Sequence, residues 1–439
     1  MRRTELATGV LIFGFSCAVF LLSIVHQIAD SKYSMLLSES LLYHRTFSLD
    51  NYGVPRYEPK PQVGWVSDGE IYQLEYVEGR LYYFFPPGSS ILSMPYVAVM
   101  NAFGVSAANA DGTYNYPGEL KLEKYLAALL MAGFASTIFF TARLLLPPGW
   151  SIIVSLGGAL GTQVWSTASR GMWADTWGLF LFGIAVWMLL AHETGKARLR
   201  PLLMATLLAW TYFVRPTSAV PILIITAYLL LSIPRAAFVR YALTGAAWLL
   251  LFVLYSYYNF GQPLPNYYRA SRLTFEAFKT AIAGNLISPS RGLLVFVPVI
   301  LFIAYLLLRY ARELTHRKLV VVSLSVILAH QVVVAGFSPW WGGHCYGPRY
   351  MTGLVPWFVL LAILAIKAAL TWRDKQGSAG ISLNRKAEWA LGAALLLSSM
   401  VINGRGAMAP STSRWNLTPI NVDHAPQRVW DWRDPQFLR

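Results

Sequence analysis

The sequence predicts an all-α polytopic membrane protein with about 11 transmembrane helices, N-terminus inside and C-terminus outside. Three observations carry that fold class. Of 439 residues, 56% are hydrophobic and only 13% charged, whereas soluble domains carry roughly a quarter charged residues. Apolar runs long enough to cross a bilayer, or nearly so, recur at about 6–28, 122–146, 149–167, 176–192, 199–214, 216–233, 241–260, 292–308, 319–337, 351–371 and 387–403. Alternate loops between these runs are basic: those assigned to the inside hold 17 Lys and Arg against five acids, as the retention of positive charge in the cytoplasm requires.

Each element follows from a local feature. The first run comes after Met1-Arg2-Arg3 and no small-residue cleavage pattern follows it, so it is expected as a retained helix and not as a signal segment. Leu199 to Ile233 is apolar throughout, but as one helix those 35 residues would measure roughly 52 Å, well beyond the bilayer core. Arg215-Pro216 in its middle marks the turn of a hairpin. The run GSSILSMPYVAVMNAF, Gly88 to Phe103, is a twelfth candidate. Counting it as a crossing would move every later basic loop outside, so it is expected to lie along the membrane surface or to re-enter.

This organisation gives an integral-membrane domain over residues 1–403 and an extracytoplasmic tail over 404–439. Within the former, residues 29–121 form a large outer segment in which acids outnumber basic residues. The formal charge of +15 sits mainly on the inner loops. It is therefore a topology signal, and nucleic acid is not expected as a partner. Cys17 and Cys345 are too few for a disulfide framework or a zinc site. No phosphate-cradling glycine loop, paired-histidine metal spacing or GxSxG elbow occurs. No cofactor is implied, and isolated acids and histidines leave a divalent metal open.

Long outer segments are where function is expected, because membrane-protein loops otherwise stay short. In HQIADSKYSMLLSESLLYHRTFSLDNY, Asp30 stands where the first helix leaves the bilayer, before an amphipathic run with Tyr33, Leu36, Leu37, Leu41 and Leu42 at helical spacing. Two readings apply to it: a partly desolvated carboxylate suited to act as a base, or an N-cap for the following helix. In GRLYYFFPPGSSILSMP, two prolines and a glycine form a rigid turn, and Tyr82, Tyr83, Phe84 and Phe85 suit the headgroup layer. The remaining outer turns each place an arginine at the lip of a helix: Arg170, with Asp175, in STASRGMWADTW; Arg215 in FVRPTS; Arg291 in NLISPSRGLLVF; and Arg349 in SPWWGGHCYGPRYM. Snorkelling to headgroups accounts for any one of them. Four together suggest a shared anionic ligand such as a phosphodiester, which guanidinium forks bind bidentately. Asp175 is a second candidate acid, or an ion-pair partner of Arg170. Tyr82 and Tyr346 are secondary candidates.

These residues resemble the integral-membrane glycosyltransferases of the GT-C fold, the class that includes protein O-mannosyltransferases and aminoarabinose transferases. The resemblance rests on the helix count, on the acid opening the first outer segment, on Phe85-Pro86-Pro87-Gly88, on SPSRG and WWGGHCYGPRYM, and on the terminal VWDWRDPQF; the last three are similar to motifs of a bacterial subgroup. It implies a multi-pass protein of the bacterial inner (plasma) membrane, with its active site facing the periplasm. The implied reaction moves a sugar, with inversion, from a polyprenyl-phosphate donor to a hydroxyl of a protein such as a pilin, a glycolipid or a polysaccharide. It also implies Asp30 as the residue that activates the acceptor. The chain departs from the family pattern in having Asp30-Ser31 where many members have two acids, and Phe85 where some have Lys or His. The donor phosphate then falls to Arg349 and Arg291, with His344 and Arg215. Two rivals stand beside this reading. A lipid-linked-sugar flippase or transporter would usually show internal repeats and midplane charges. An oligosaccharide ligase or polymerase would rely on arginines and His344 without an obligatory acid.

Overall fold

A computed structural model describes residues 3–54, 71–270, 273–376 and 383–439. In chain order the helices are α1 (Arg3–Leu22), α2 (Ser34–Glu39), α3 (Gly88–Ala102), α4 (Tyr116–Arg143), α5 (Pro148–Leu160), α6 (Ala174–Glu193), α7 (Pro201–Val214), α8 (Ala219–Ser232), α9 (Arg235–Phe260), α10 (Phe278–Ile287), α11 (Leu293–Phe296), α12 (Val299–Arg309), α13 (Arg317–Ala335), α14 (Val355–Lys375), α15 (Leu383–Met408) and α16 (Pro410–Arg414). A two-stranded antiparallel hairpin, β1 (Leu74–Val77) and β2 (Arg80–Tyr83), interrupts the helices between α2 and α3. Its two-residue turn has positive φ at Glu78 and Gly79, the geometry that matches the twist of paired strands.

The eleven apolar runs are mainly helical, although 149–167 divides into α5 and a π turn at Val164–Ala168 and 292–308 into α11 and α12. Among the described residues, seven helices are long and apolar enough to cross a membrane, and four apolar helices are shorter. The stretch from Leu199 to Ile233 is broken as expected: α7 stops at Val214, Arg215 is extended, and a 3₁₀ turn at Pro216–Ser218 starts the return. The run from Gly88 becomes α3, which packs on α2 and α7. Its first residue must be glycine, because a Cβ on Gly88 would lie 2.5 Å from the carbonyl carbon of Phe213.

The basic loops converge at one end of the bundle. Arg143 pairs with Glu5 at 2.6 Å, Lys375 with Glu313 at 2.6 Å and Arg309 with Glu388 at 3.6 Å, while the Tyr228 hydroxyl donates to Glu193 at 2.6 Å. Asp30, Asp175, Arg215, Arg291 and Arg349 all belong to the connections at the opposite end.

Arg170 is one of the fastenings of that end. It is almost fully buried, and its guanidinium donates to the carbonyls of Phe20 (2.6 Å) and Ser23 (3.0 Å), where α1 ends. A helix C-terminus leaves such carbonyls without intrahelical donors, and a cation there also opposes the negative end of the dipole. Burial pushes the guanidinium pKa down to about 9, so Arg170 remains charged at neutral pH.

After α15 the chain folds back on the turn at residues 338–349. Trp340 is buried in a cluster with Ala281, Trp415, Val422 and Val429. Gln436 is fully buried beneath the same turn. Its amide donates to the carbonyls of Cys345 (2.9 Å) and Thr412 (3.0 Å), and its Oε1 accepts from Arg291 Nη1 (2.7 Å) and the Gly347 amide (3.2 Å). Four groups would be orphaned by losing one side chain, each costing about 1–3 kcal/mol before relaxation. Gln436→Ala is expected to destabilise the protein by roughly 2–4 kcal/mol, read as a lowered thermal midpoint in detergent relative to an exposed control such as Leu438→Ala.

Candidate functional site

A cavity of about 470 Å³ opens among the ends of α6, α7 and α13, the segment after α1, residues 267–270 with Leu273, and the turns at 337–344 and 349–350. It brings together Asp30, Asp175, Arg215, His344 and Arg349. These residues come from four separate stretches of the chain, so the sequence alone does not place them side by side.

Two ion pairs organise its polar side. Arg349 Nη2 contacts Asp30 Oδ2, and Arg215 Nη1 contacts Asp175 Oδ1; the side chains of both pairs are mostly or fully buried. The N-cap reading of Asp30 does not hold: α2 begins after Tyr33, and no side chain caps it from that position. The Asp30 carboxylate is held from the cavity side, accepting from Arg349 and from the Tyr72 hydroxyl at 3.2 Å. Tyr83 fixes the same residue through its backbone, donating to the Asp30 carbonyl at 2.6 Å. Burial, reinforced by the Asp30 charge, pushes Tyr72 above the ordinary phenol range. Tyr83 is raised as well, first by burial and then by Glu123 and Asp30. Both phenols therefore stay protonated and act as donors at neutral pH.

Arg349 is oriented by stacking. Its guanidinium carbon lies 3.8 Å from the centre of the Trp173 ring, a cation–π geometry that strengthens out of water. Its Nε–H is buried and has no partner among the described residues. Asp175 stands in the first turn of α6, where a negative charge is favoured by the helix dipole. Its partner is Arg215 and not Arg170, whose guanidinium is occupied at the end of α1.

His344 lines the cavity through a tie to the C-terminal tail. Its Nε2 is 2.8 Å from Asn421 Oδ1 and 3.4 Å from Asp423 Oδ2, and Asp423 also accepts from Trp341 Nε1 at 2.8 Å. The opposite wall is aromatic, with Tyr72, Phe85, Tyr212, Tyr267 and Tyr268. Arg269, at the mouth, was not singled out in the sequence; nor were Tyr72, Trp173 and Asp423.

Besides Arg170, three expected residues lie elsewhere. Arg291 is fully buried and gives its N–H groups to the carbonyls of Trp341 (2.8 Å), Ser290 (2.7 Å) and Gly343 (3.1 Å), to Gln436 (2.7 Å) and to Asn416 (2.9 Å). With all its donors committed it has none for a ligand, and it serves the turn that carries His344. Tyr82 points away from the cavity and packs on Phe260, since neighbouring strand residues face opposite ways. Tyr346 donates to the carbonyl of Ile402 at 2.6 Å beneath α15.

A second cavity, of about 230 Å³ between α5, α12, α14 and α15, has no ionisable side chain in its lining. Among the described residues no group of three or more His, Cys, Asp or Glu is arranged to hold a metal ion.

The chain matches no known family model and no curated protein. Among solved structures, its fold is similar to that of ArnT from Cupriavidus metallidurans bound to undecaprenyl phosphate, with a TM-score of 0.50 and 12% identity over 99% of this chain and 75% of that one. The chain thus has a GT-C-like membrane fold.

Two predictions follow from this electrostatic layout. Removing one member of a buried ion pair leaves a charge without its partner, at about 3–5 kcal/mol. Arg215→Met is therefore expected to melt well below wild type, while Arg215→Met with Asp175→Leu recovers most of the loss, as a thermal-melt double-mutant cycle reports. At the back of the aromatic wall, Glu75 on β1 accepts from Asn266 Nδ2 at 2.8 Å. Burial raises its carboxyl pKa to about 7, against the opposing pull of Asn266 and Arg269. Since the folded value exceeds the ordinary 4.5, folding favours the neutral acid. Its contribution is full below about pH 4.5 and lost as pH rises through 7. The melting temperature of wild type should fall more between pH 5 and 8 than that of Glu75→Gln.

Proposed function

We propose that this protein transfers a sugar from a polyprenyl-phosphate donor to an acceptor hydroxyl, with inversion at the anomeric carbon, on the extracytoplasmic side of the membrane. One observation carries the reading: a carboxylate and a guanidinium, Asp30 and Arg349, are in contact inside a cavity, and the guanidinium keeps a buried N–H unpaired. A carboxylate suits the acceptor proton, and an arginine that lines the cavity suits a phosphate oxygen. The solved structure with the similar fold was bound to undecaprenyl phosphate, which supports the donor class. The excess of basic residues in the inner loops supports the sidedness.

In the proposed reaction the donor phosphate enters between Arg349 and Arg215, and its sugar lies against the aromatic wall. Sharing Arg349 with a phosphate weakens its hold on Asp30 and makes that carboxylate a better base. The acceptor oxygen then attacks the anomeric carbon while the bond from that carbon to the phosphate oxygen breaks. Asp30 takes the acceptor proton, and polyprenyl phosphate leaves with the charge that the two arginines stabilise. Asp175 orients Arg215, and His344 borders the acceptor side.

Asp30→Asn is expected to lower sugar transfer by about 10²–10⁴-fold, with the purified protein still folded and still binding donor, measured as consumption of a lipid-linked sugar by mass spectrometry. His344→Ala should cost far less. Loss in His344→Ala with full activity in Asp30→Asn would favour a ligase-type mechanism. No consumption by wild type across a broad donor panel would end the transferase reading.

A further inference from the structure

Two buried acids of α4 play no part in the transfer as derived above. Glu119 and Glu123 are fully buried and four residues apart, so they share one helix face. Neither has an ion-pair partner among the described residues. Burying a carboxylate costs several kcal/mol unless hydrogen bonds replace its water, and here they do. Glu119 accepts from the amides of Tyr33 and Met35, both at 2.9 Å, and from the Tyr114 hydroxyl. Glu123 accepts from the Ser31 hydroxyl at 2.8 Å, the Met172 amide at 3.0 Å and the Ser34 hydroxyl at 3.5 Å.

Every one of these partners is a donor. An ionised carboxylate is acceptor-only and suits such a set, whereas a glutamine would turn an N–H group toward donors. The segment being held also needs holding. Tyr33 has a φ of 76°, in the left-handed region that a residue with a bulky side chain rarely adopts, and α2 has no side-chain cap of its own. Glu119 supplies that cap from another helix.

The second contact of Glu123 reaches the other half of the site. Met172 adjoins Trp173, the ring on which the Arg349 guanidinium rests, and Ser31 adjoins Asp30. One carboxylate thus ties the backbone bearing the acid to the backbone bearing the platform of its cation. The two backbones also bond directly, Gln27 N to the Arg170 carbonyl at 2.9 Å, and they run so close that a Cβ on Gly171 would lie 2.4 Å from the Gln27 carbonyl oxygen.

We propose that Glu123, supported by Glu119, is a positioning residue of the transfer site: from α4 it sets the place of Asp30 relative to Arg349 without touching substrate. This rests on the reading of Asp30 as the acceptor base. Glu123→Gln places an amide where a carboxyl oxygen accepts from the Met172 N–H, at constant shape, and Ser31→Ala removes one contact at little risk to folding. In the full-length protein both are expected to lower kcat, Glu123→Gln by about 10–100-fold and Ser31→Ala by less, with donor KM within about threefold. In an Asp30→Asn background neither should lower the residual rate further, because the residue they position is already disabled; a merely structural role would lower it in both backgrounds. Amide hydrogen exchange should rise over residues 27–36 and 170–174 and stay unchanged elsewhere.

Wild-type kcat in both variants, or unchanged exchange over those two segments, overturns the proposal. So does a further loss of rate in the Asp30→Asn background. If Asp30→Asn itself proves fully active, the assignment of the base has failed, and the exchange measurement then decides by itself whether Glu123 holds the two segments together.

Discussion

The cavity-bearing end of this molecule is built around one contact, the Arg349 guanidinium lying between the Asp30 carboxylate and the Trp173 ring. Three elements must meet for it to exist: the segment leaving α1, the turn entering α6 and the turn entering α14. A charge at that depth has little water to fall back on, so its partner must be in place when the helices dock. The same requirement recurs in the pair of Arg215 with Asp175, which joins the end of α7 to the start of α6. Packing of apolar faces brings the helices together, and these paired charges fix how their ends register.

The four arginines of these turns therefore divide by what their donors face. Arg170 faces the carbonyls at the end of α1, and Arg291 faces backbone and amide oxygens beneath the turn that holds His344. Neutral acceptors of this kind satisfy a guanidinium without cancelling its charge. Arg215 and Arg349 face carboxylates instead, in a cavity with room for a further anion. A carboxylate is a partner that a phosphate can displace or share. Carbonyls built into a helix end or a tight turn are not.

The division explains what could be read from the chain in advance. Apolar length, the break at Arg215-Pro216 and the alternation of basic loops depend on local composition and on the bilayer, and the runs are mainly helical in the structure. An arginine beside Pro, Gly or Ser has the same local sequence whether it points at a ligand or at a carbonyl. Arg291 and Arg349 could be told apart only by knowing that Gln436 and Asn416, far along the chain, would fill one of them. Tyr82 was singled out in place of Tyr83 because an aromatic tetrad does not reveal which strand face turns toward Asp30, and Tyr72, outside the tetrad, carries no local signal of its own. Glu119 and Glu123 did leave a signal, two acids at helical spacing entering an apolar run, but it resembles an ordinary acidic helix start.

The paired arrangement also bears on how the proposed transfer would remain feasible in a partly dehydrated cavity. Two carboxylates and two guanidiniums are together neutral, so a donor phosphodiester brings the whole to a single negative charge. As the sugar leaves, the phosphate gains one negative charge and Asp30, taking the acceptor proton, loses one. The net charge of the cavity is then the same before and after the step, and no ion has to be drawn in from water to balance it. What changes is where the charge lies: it moves from the acid to the phosphate beside Arg349, which contacts the acid in the cavity the phosphate is proposed to enter. An arginine without a carboxylate partner would bind the donor more tightly, but it would hold the doubly charged product more tightly still. Keeping Asp30 against Arg349 in the empty cavity thus favours turnover, since the carboxylate reclaims the guanidinium as it gives up its proton.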